Sequence, residues 1–412
     1  MAAPLKAAAA ATAAAATAGS GAFVPRAVFE VSPSITRSYF LGHHTAALSA
    51  MRRTLSDVGL VLECRDARVP LTSANPLLES ELAGRDRIVV YTKHDLAGDH
   101  PSGARRTDGE HRRLARPYLR ATREIGGAGA AAAAAEVVIT DERNRQSVGR
   151  LMDAIRARAA AHDSLIGLRA LVVGMPNAGK STLLNALRRV GLNGGKVART
   201  GAQPGITRKL GTPVRIVAAT ADNDGSDDGG GSAGRRRGDG LDTGAGVFLV
   251  DTPGVFVPYV SDVEAMLKLA LVGCVKDGLV PLETVADYLL FWLNRVDPAL
   301  YAPRLCPAGP TNDVAVFLDA VARRTGKLLP GALPAREQAA AWVVQQWRAG
   351  RLGRFSLDDL SDAGLRDHAA RLRRDADNKV VSMNQARKRE KLARKEVLVA
   401  KRAAKAAAGA LD

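Results

Sequence analysis

Residues 170–187 read ALVVGMPNAGKSTLLNAL, and no other stretch of this chain restricts its fold as severely. An apolar run suited to a buried strand leads straight into Gly174-x-x-x-x-Gly179-Lys180-Ser181, and apolar residues at helical spacing follow at once. The two glycines let the backbone curl so that successive N–H groups, together with the first turn of the helix, face one spot. A concave row of donors of this kind attracts an anion with several oxygens, to which Lys180 adds a positive charge and Ser181 a hydroxyl able to ligate Mg²⁺. A strand–loop–helix unit also needs neighbours: parallel strands buried on both faces, with ligands gathered at their carboxyl ends.

The chain up to about residue 251 supplies them. Short apolar runs predict strands at Gly59–Glu63, Arg87–Tyr91, Val137–Thr140, Arg169–Val173, Thr212–Ala218 and Val247–Val250, with helices at His43–Asp57, Ser73–Ala83, Ser147–Ala160 and Lys180–Arg189. Beyond Asp251 the strand signal disappears, and apolar residues recur at helical spacing in 261–293, 311–325 and 335–348. The expected architecture is an α/β P-loop domain with a parallel sheet, then a smaller all-α domain and a basic tail. The expected limits are 1–30 for a leader, 31–260 for the sheet domain, 261–358 for the helical domain and 359–412 for the tail.

Three low-complexity segments interrupt this order: 1–19 rich in Ala, 126–135 rich in Gly and Ala, and 221–246 rich in Gly and Asp. The last has too few apolar residues to offset its ordering entropy and is expected to loop out as a disordered insert. The first 29 residues contain no acid, carry Lys6 and Arg26 and are mostly Ala with Thr and Ser, which suggests an organelle transit peptide, or else a disordered leader of biased composition. The three cysteines, Cys64, Cys274 and Cys306, are widely spaced and form no C-x-x-C pair, which argues against a disulfide framework and a zinc site. No membrane span is expected, because the best candidate, Leu267–Leu293, is broken by Lys268, Lys276, Asp277, Glu283 and Asp287.

A formal net charge of +17 favours a polyanionic partner, most simply nucleic acid. Nine basic residues between Arg387 and Lys405, against Glu390 and Glu396, concentrate seven of those charges in the tail. Such a run can neutralise phosphates without reading sequence; a nuclear address or an anionic membrane surface are competing uses.

Two further stretches belong with the phosphate loop. In VFLVDTPG an apolar strand ends at Asp251, where an acid can hold a Mg²⁺ shell through water, and Gly254 can offer its N–H to a γ-phosphate. Between the two, GAQPGITRK (201–209) places Thr207 in a Gly/Pro-rich stretch, where it can give Mg²⁺ a second hydroxyl while a γ-phosphate holds the loop; a plain surface turn is the alternative. Upstream of all three, at 89–98, VVYTKHDLAG ends an apolar strand in Thr92-Lys93-His94-Asp95. A carboxylate such as Asp95 can accept both N1–H and N2–H of guanine, a pair adenine lacks, while Lys93 lays its stem along the base. T-K-x-D alone is a common surface turn. Here its place at a strand end supports a guanine-reading loop, which a sheet can carry before its phosphate loop if the fold is circularly permuted.

The order TKHD, GMPNAGKST, GAQPGITR, DTPG, preceded by GHHTAA and DARVPLTSANP (66–76), resembles the circularly permuted GTPases that assemble large ribosomal subunits, on the branch of mitochondrial ribosome-associated GTPase 1. The resemblance covers about 35–355, including DYLLFWLNR and RAGRLGRF in the helical part. It implies GTP binding and hydrolysis to GDP, with Mg²⁺, binding to the large mitoribosomal subunit and its rRNA, and a place in the mitochondrial matrix, often against the inner membrane. It also implies that Thr92, Lys93 and Asp95 contact the base, that Asn177, Ala178, Gly179, Lys180, Ser181 and Thr182 hold the phosphates, and that Ser181, Thr207 and Asp251 attend Mg²⁺, with Lys180, Thr207 and Gly254 at the hydrolytic centre.

Three features depart from that family. Thr92 stands where Asn is usual, TDERN (140–144) replaces the usual Ser-Ala after the next strand, leaving Asp141 as a base contact, and Val255 and Phe256 follow Gly254 where many GTPases place glutamine. Threonine is expected to tie the base loop to the phosphate loop less firmly than Asn, and the missing glutamine predicts slow intrinsic hydrolysis. Asn177 resembles the asparagine with which related GTPases hold K⁺, or it hydrogen-bonds its own loop. The missing glutamine also leaves open a non-catalytic RNA-binding scaffold stabilised by nucleotide.

Overall fold

The computed structural model describes residues 23–31, 35, 42–98, 106–126, 136–162, 166–198, 200–201, 210–219, 245–257, 260 and 262–377. Thr207, the 387–405 basic run, the Ala-rich 1–19 segment and nearly all of the 126–135 and 221–246 inserts lie outside these residues.

Six strands make one sheet: β1 Leu60–Asp66, β2 Arg87–Thr92, β3 Glu136–Ile139, β4 Leu168–Gly174, β5 Val214–Val217 and β6 Val247–Asp251. Their spatial order is β3-β2-β1-β4-β6-β5, with β1, β2, β3, β4 and β6 parallel. The β5 edge runs antiparallel to β6, with a register break between Arg215 and Val217, so the sheet is mixed where a wholly parallel one was expected. Every residue of β1 and β2 is buried, as strands covered on both faces require.

The helices α1 Gly42–Thr54, α2 Pro76–Glu81, α3 Asp108–Gly126, α4 Arg145–His162 and α5 Lys180–Leu192 cover the two faces. Leu60, Leu62, Ile88, Val90, Ala170 and Val172 pack with Leu151, Ile155, Leu183 and Leu187 of α4 and α5. On the opposite face Val61, Leu171, Val173 and Val250 meet Leu48, Met51 and Leu78 of α1 and α2, while Val89, Tyr91 and Ile139 meet Ala115 and Tyr118 of α3. Sequence periodicity did not predict α3, which contains Pro117. The ring costs a backbone hydrogen bond, but burial of Ala115, Tyr118, Ala121 and Thr122, with Tyr91 and Thr122 hydroxyls 3.0 Å apart, holds the helix in place.

Four longer helices follow: α6 Val263–Val272, α7 Leu282–Val296, α8 Val314–Thr325 and α9 Arg336–Arg348. The apolar periodicity of 261–293 is therefore two helices, because Gly273 takes φ +83° and its N–H turns back to Leu269 and Ala270 carbonyls to end α6. A short hairpin, Leu328–Leu329 with Leu333–Pro334, sits between α8 and α9 in a region expected to be all helical. The helical core gathers Met266 and Leu267 of α6, Leu289 of α7, Val321 of α8 and Trp347 of α9, and it also takes in Val69, Met175, Phe256 and Val257 from the sheet's carboxyl edge.

The last part of the expected leader is packed on these helices. Arg26 Nη2 donates to Asp287 at 2.5 Å, Asn312 bonds the backbone of Val24 and Arg26, and the Phe29 ring meets Tyr288 edge-on at 5.2 Å. The chain forms two compact units, 1–365 and 366–412; of the second, the structure describes 366–377, the end of the helix Asp362–Asp377.

Candidate functional site

Because β1, β2, β3, β4 and β6 are parallel, all five end on one edge, and the loops leaving them meet there. The β4–α5 loop carries the phosphate-binding motif. Gly174 has φ +143° and comes so close to β1 that a Cβ would lie 2.3 Å from the Cys64 carbonyl oxygen, and Gly179 has φ +84°. Lys180 is buried and folds back over its own loop, donating to the Gly174 and Met175 carbonyls at 3.2 and 2.7 Å. Burial lowers the pKa of its ammonium, against the opposing pull of Asp251. A polyphosphate entering the loop would give that ammonium a stronger acceptor than two carbonyls.

Ser181, at the first turn of α5, donates its hydroxyl to Asp251 Oδ2 at 2.6 Å. A hydroxyl and a carboxylate brought together beside a phosphate loop make a donor set of hard oxygens, which fits Mg²⁺. Thr182 follows on the same turn and Ala178 precedes Gly179 in the loop.

The loop after β2 reaches the same place. The Thr92 hydroxyl lies 2.8 Å from the Ala178 carbonyl and 3.2 Å from the Arg65 carbonyl, and a Cβ on Gly179 would touch it at 3.2 Å. Threonine therefore does reach the phosphate loop, through a compact contact in which Gly179 lies directly against it. Lys93, in the left-handed region at φ +55°, donates to the Asn177 carbonyl at 2.6 Å and to Asp66 at 2.9 Å. Asp95 is buried next to the loop after β3, and the carboxylates of Asp95, Asp141 and Glu142 lie within 4.8 Å of one another. Burial first, then those two neighbours, push the Asp95 carboxyl up to about 6. Asp141 itself accepts from the Arg143 N–H at 2.9 Å, so its carboxylate shapes the 140–144 turn.

Asn177 does not simply close its own loop. Its amide nitrogen donates to the Gly273 carbonyl at the end of α6, 2.7 Å away. Motif reading missed several residues that fix these loops. Asp66, at the end of β1, accepts from Arg68 Nη2 at 2.7 Å as well as from Lys93; burial alone would raise its pKa, but those two cations outweigh it and hold the carboxyl well below the usual range. Arg68 is stacked 5.1 Å from the Trp347 ring and reaches the Val272 carbonyl at 3.4 Å, while Arg348 donates to the Ala270 and Leu271 carbonyls at 2.8 and 2.9 Å. The carbonyl end of α6 is thus met by two guanidiniums and one amide, a favourable match to its partial negative charge. The stretch DARVPLTSANP held these contacts in view, but nothing in its spacing says what Arg68 or Asn75 would touch.

Val255 and Phe256, where a water-orienting side chain would stand, are 2% and 0% exposed. They are anchored in two different cores, Val255 with Leu171 and Val173 and Phe256 with the helical residues.

A nested phosphate loop, a hydroxyl–carboxylate pair for a hard cation and a guanine-type Lys-x-Asp loop on one sheet edge define a P-loop GTPase in which the base-reading strands precede the phosphate strand. Residues 169–299 match the family described as 50S ribosome-binding GTPase. The chain is 36% identical to mitochondrial GTPase 1 of Schizosaccharomyces pombe, over 82% of this chain and 94% of that one. It is 32% identical to mitochondrial ribosome-associated GTPase 1 of Mus musculus, covering 78% and 89%, and 27% identical to ribosome biogenesis GTPase A of Bacillus cereus, covering 79% and 95%. The chain belongs to the mitochondrial GTPase 1 family.

Proposed function

We propose that this GTPase acts in mitochondria, where it binds the large ribosomal subunit and its rRNA and assists their assembly while GTP is bound. The contact that carries the reading is the pair of hydrogen bonds from Thr92 and Lys93 to Ala178 and Asn177, which joins a guanine-reading loop to a phosphate loop. The relatives named for ribosome association and ribosome biogenesis support the partner. A matrix location, with a peripheral seat on the inner membrane, rests on the family resemblance; among the described residues no helix is long and apolar enough to cross a membrane.

In this reading Asp95 accepts the two guanine N–H groups, Lys93 covers the base, and Thr92 sets the distance from base to phosphates. Asn177, Ala178, Gly179, Lys180, Ser181 and Thr182 hold the phosphates, with the Lys180 ammonium moving from its loop carbonyls to the β and γ oxygens. Ser181, Asp251 and Thr207 would hold Mg²⁺, which would supply positive charge to offset that of the phosphates. The Gly254 N–H meets the terminal phosphate, so Thr207 and Gly254 both register whether it is there. No side chain at 255 or 256 can orient the attacking water, so intrinsic turnover would be slow and acceleration would fall to the ribosomal partner or to a K⁺ ion that Asn177 would help hold. The Asn177 amide nitrogen is engaged with Gly273, so any K⁺ contact from that side chain falls to its oxygen.

The domain limits proposed are a leader at 1–30, the GTPase domain at 31–260, a helical RNA-binding domain at 261–358 and a basic tail at 359–412. Sedimentation with mitochondrial ribosomal particles tests the function: the protein should travel with large subunits in a non-hydrolysable GTP analogue and leave them in GDP. Equal displacement of bound nucleotide by ATP and GTP, or equal sedimentation in all nucleotides, would defeat it.

A further inference from the structure

DARVPLTSANP contains one more side chain that reaches the site. Asn75 is 1% exposed and caps α2, its Oδ1 accepting from the Leu77 N–H at 3.0 Å. Ser, Thr or Asp would serve as well for that purpose. Its other end does something a simple cap does not: Nδ2 donates to the Val255 carbonyl at 2.9 Å, 180 residues along the chain.

Val255 is the residue after Gly254, and its own N–H donates to the Gly174 carbonyl at 3.2 Å. The Val255 backbone is thereby held at both polar groups, by the phosphate loop on one side and Asn75 on the other. Gly254 is packed so tightly that a Cβ would fall 2.6 Å from Pro176 Cα. With the Val255 side chain in the sheet core, the Asn75 bond to the carbonyl of residue 255 is one of the contacts that fix the backbone running on from Gly254.

We propose that Asn75 is a positioning residue for terminal-phosphate recognition: through the Val255 carbonyl it aims the Gly254 N–H, and so separates GTP from GDP without touching either. This rests on the reading that Gly254 faces the terminal phosphate. In that reading guanine and the α and β phosphates are held mainly by other loops, so the larger effect falls on the γ group.

The test uses the full chain with Asn75→Ser, which keeps the cap acceptor but is too short to reach Val255, and Asn75→Asp, which keeps the cap and replaces the donor by an acceptor. Affinities for GDP and for a non-hydrolysable GTP analogue are measured with Mg²⁺, together with kcat, KM and the melting temperature. Expected for both variants is GDP affinity within about twofold of the wild type, with analogue affinity and kcat down about tenfold, as loss of one aligned interaction implies. Equal loss of GDP and analogue binding would make Asn75 structural only, and unchanged kcat and analogue affinity would reduce it to a helix cap. If one variant fails to fold, the other decides. If the wild-type chain itself responds identically to GDP and the analogue, the Gly254 reading fails and takes the Asn75 assignment with it; a wild type that discriminates, beside variants that do so equally well, removes the Asn75 assignment alone.

Discussion

With Asp95 as the proposed reader of guanine, nucleotide affinity should fall steeply in mild acid. Its carboxyl is pushed up to about 6 by burial and then by Asp141 and Glu142. Only the ionised form can accept both guanine N–H groups, so the apparent Kd should scale as one plus the ratio of protonated to ionised Asp95. That ratio makes binding about twofold weaker at pH 6 and about tenfold weaker at pH 5 than at pH 8, with each further unit worth about 1.4 kcal/mol. Fluorescent GDP titrations from pH 5 to 8 measure it directly. Asp95→Asn should bind weakly with little slope, and Asp141→Asn, by removing one neighbouring charge, should move the wild-type midpoint downward. Stability of the nucleotide-free protein should follow the opposite sign. The folded carboxyl keeps its proton more tightly than an unfolded one at 3.8, so the cost of the buried charge is present in full above pH 6 and is relieved as pH falls from 6 toward 4. A wild-type Kd that is flat over this range, or an Asp95→Asn protein with the same slope, would refute the argument.

Thr92→Val keeps the side-chain shape and removes the hydroxyl shared between the Ala178 and Arg65 carbonyls. Urea unfolding should show a loss of about 1–2 kcal/mol, with weaker GDP binding, and an unchanged midpoint would mean the loops are joined by other contacts. Arg26→Ala removes the Asp287 pair and the stack over Phe29, and should cost about 1 kcal/mol in the same assay; no loss would mean that 23–31 only rests on the helices. Deleting 380–412 should weaken rRNA binding and flatten its salt dependence, whereas an identical salt slope would make the basic run dispensable. Turnover in K⁺ should exceed turnover in Na⁺, and equal rates would remove the role given to Asn177.

Much of the fold was legible because the signals are local. All six strands of the sheet stand where short apolar runs placed them, each within a few residues. Helix α3 was hidden by Pro117, whose local cost is real but smaller than the burial gained by Ala115, Tyr118 and Ala121 together. Splitting 261–293 into two helices depended on Gly273 taking a left-handed conformation, and glycine permits that without announcing it. The antiparallel direction of β5 was equally silent, since side-chain alternation is the same whichever way a strand runs.

The amino-acid order by itself determined the chemistry: a phosphate loop between strand and helix, an acid and a glycine after a later strand, a Lys-x-Asp loop ahead of both, and hence the permuted order of the site. Those are short-range patterns in which each residue type has one physical task. Only the folded chain decided what joins the parts. Thr92 meets Ala178 across 86 positions, Asn177 meets Gly273 across 96 and Asn75 meets Val255 across 180, and hydrogen bonds of about 3 Å depend on how strands are ordered and how closely glycines let backbones approach. A sequence states which donors and acceptors exist; which of them come within reach is settled by packing.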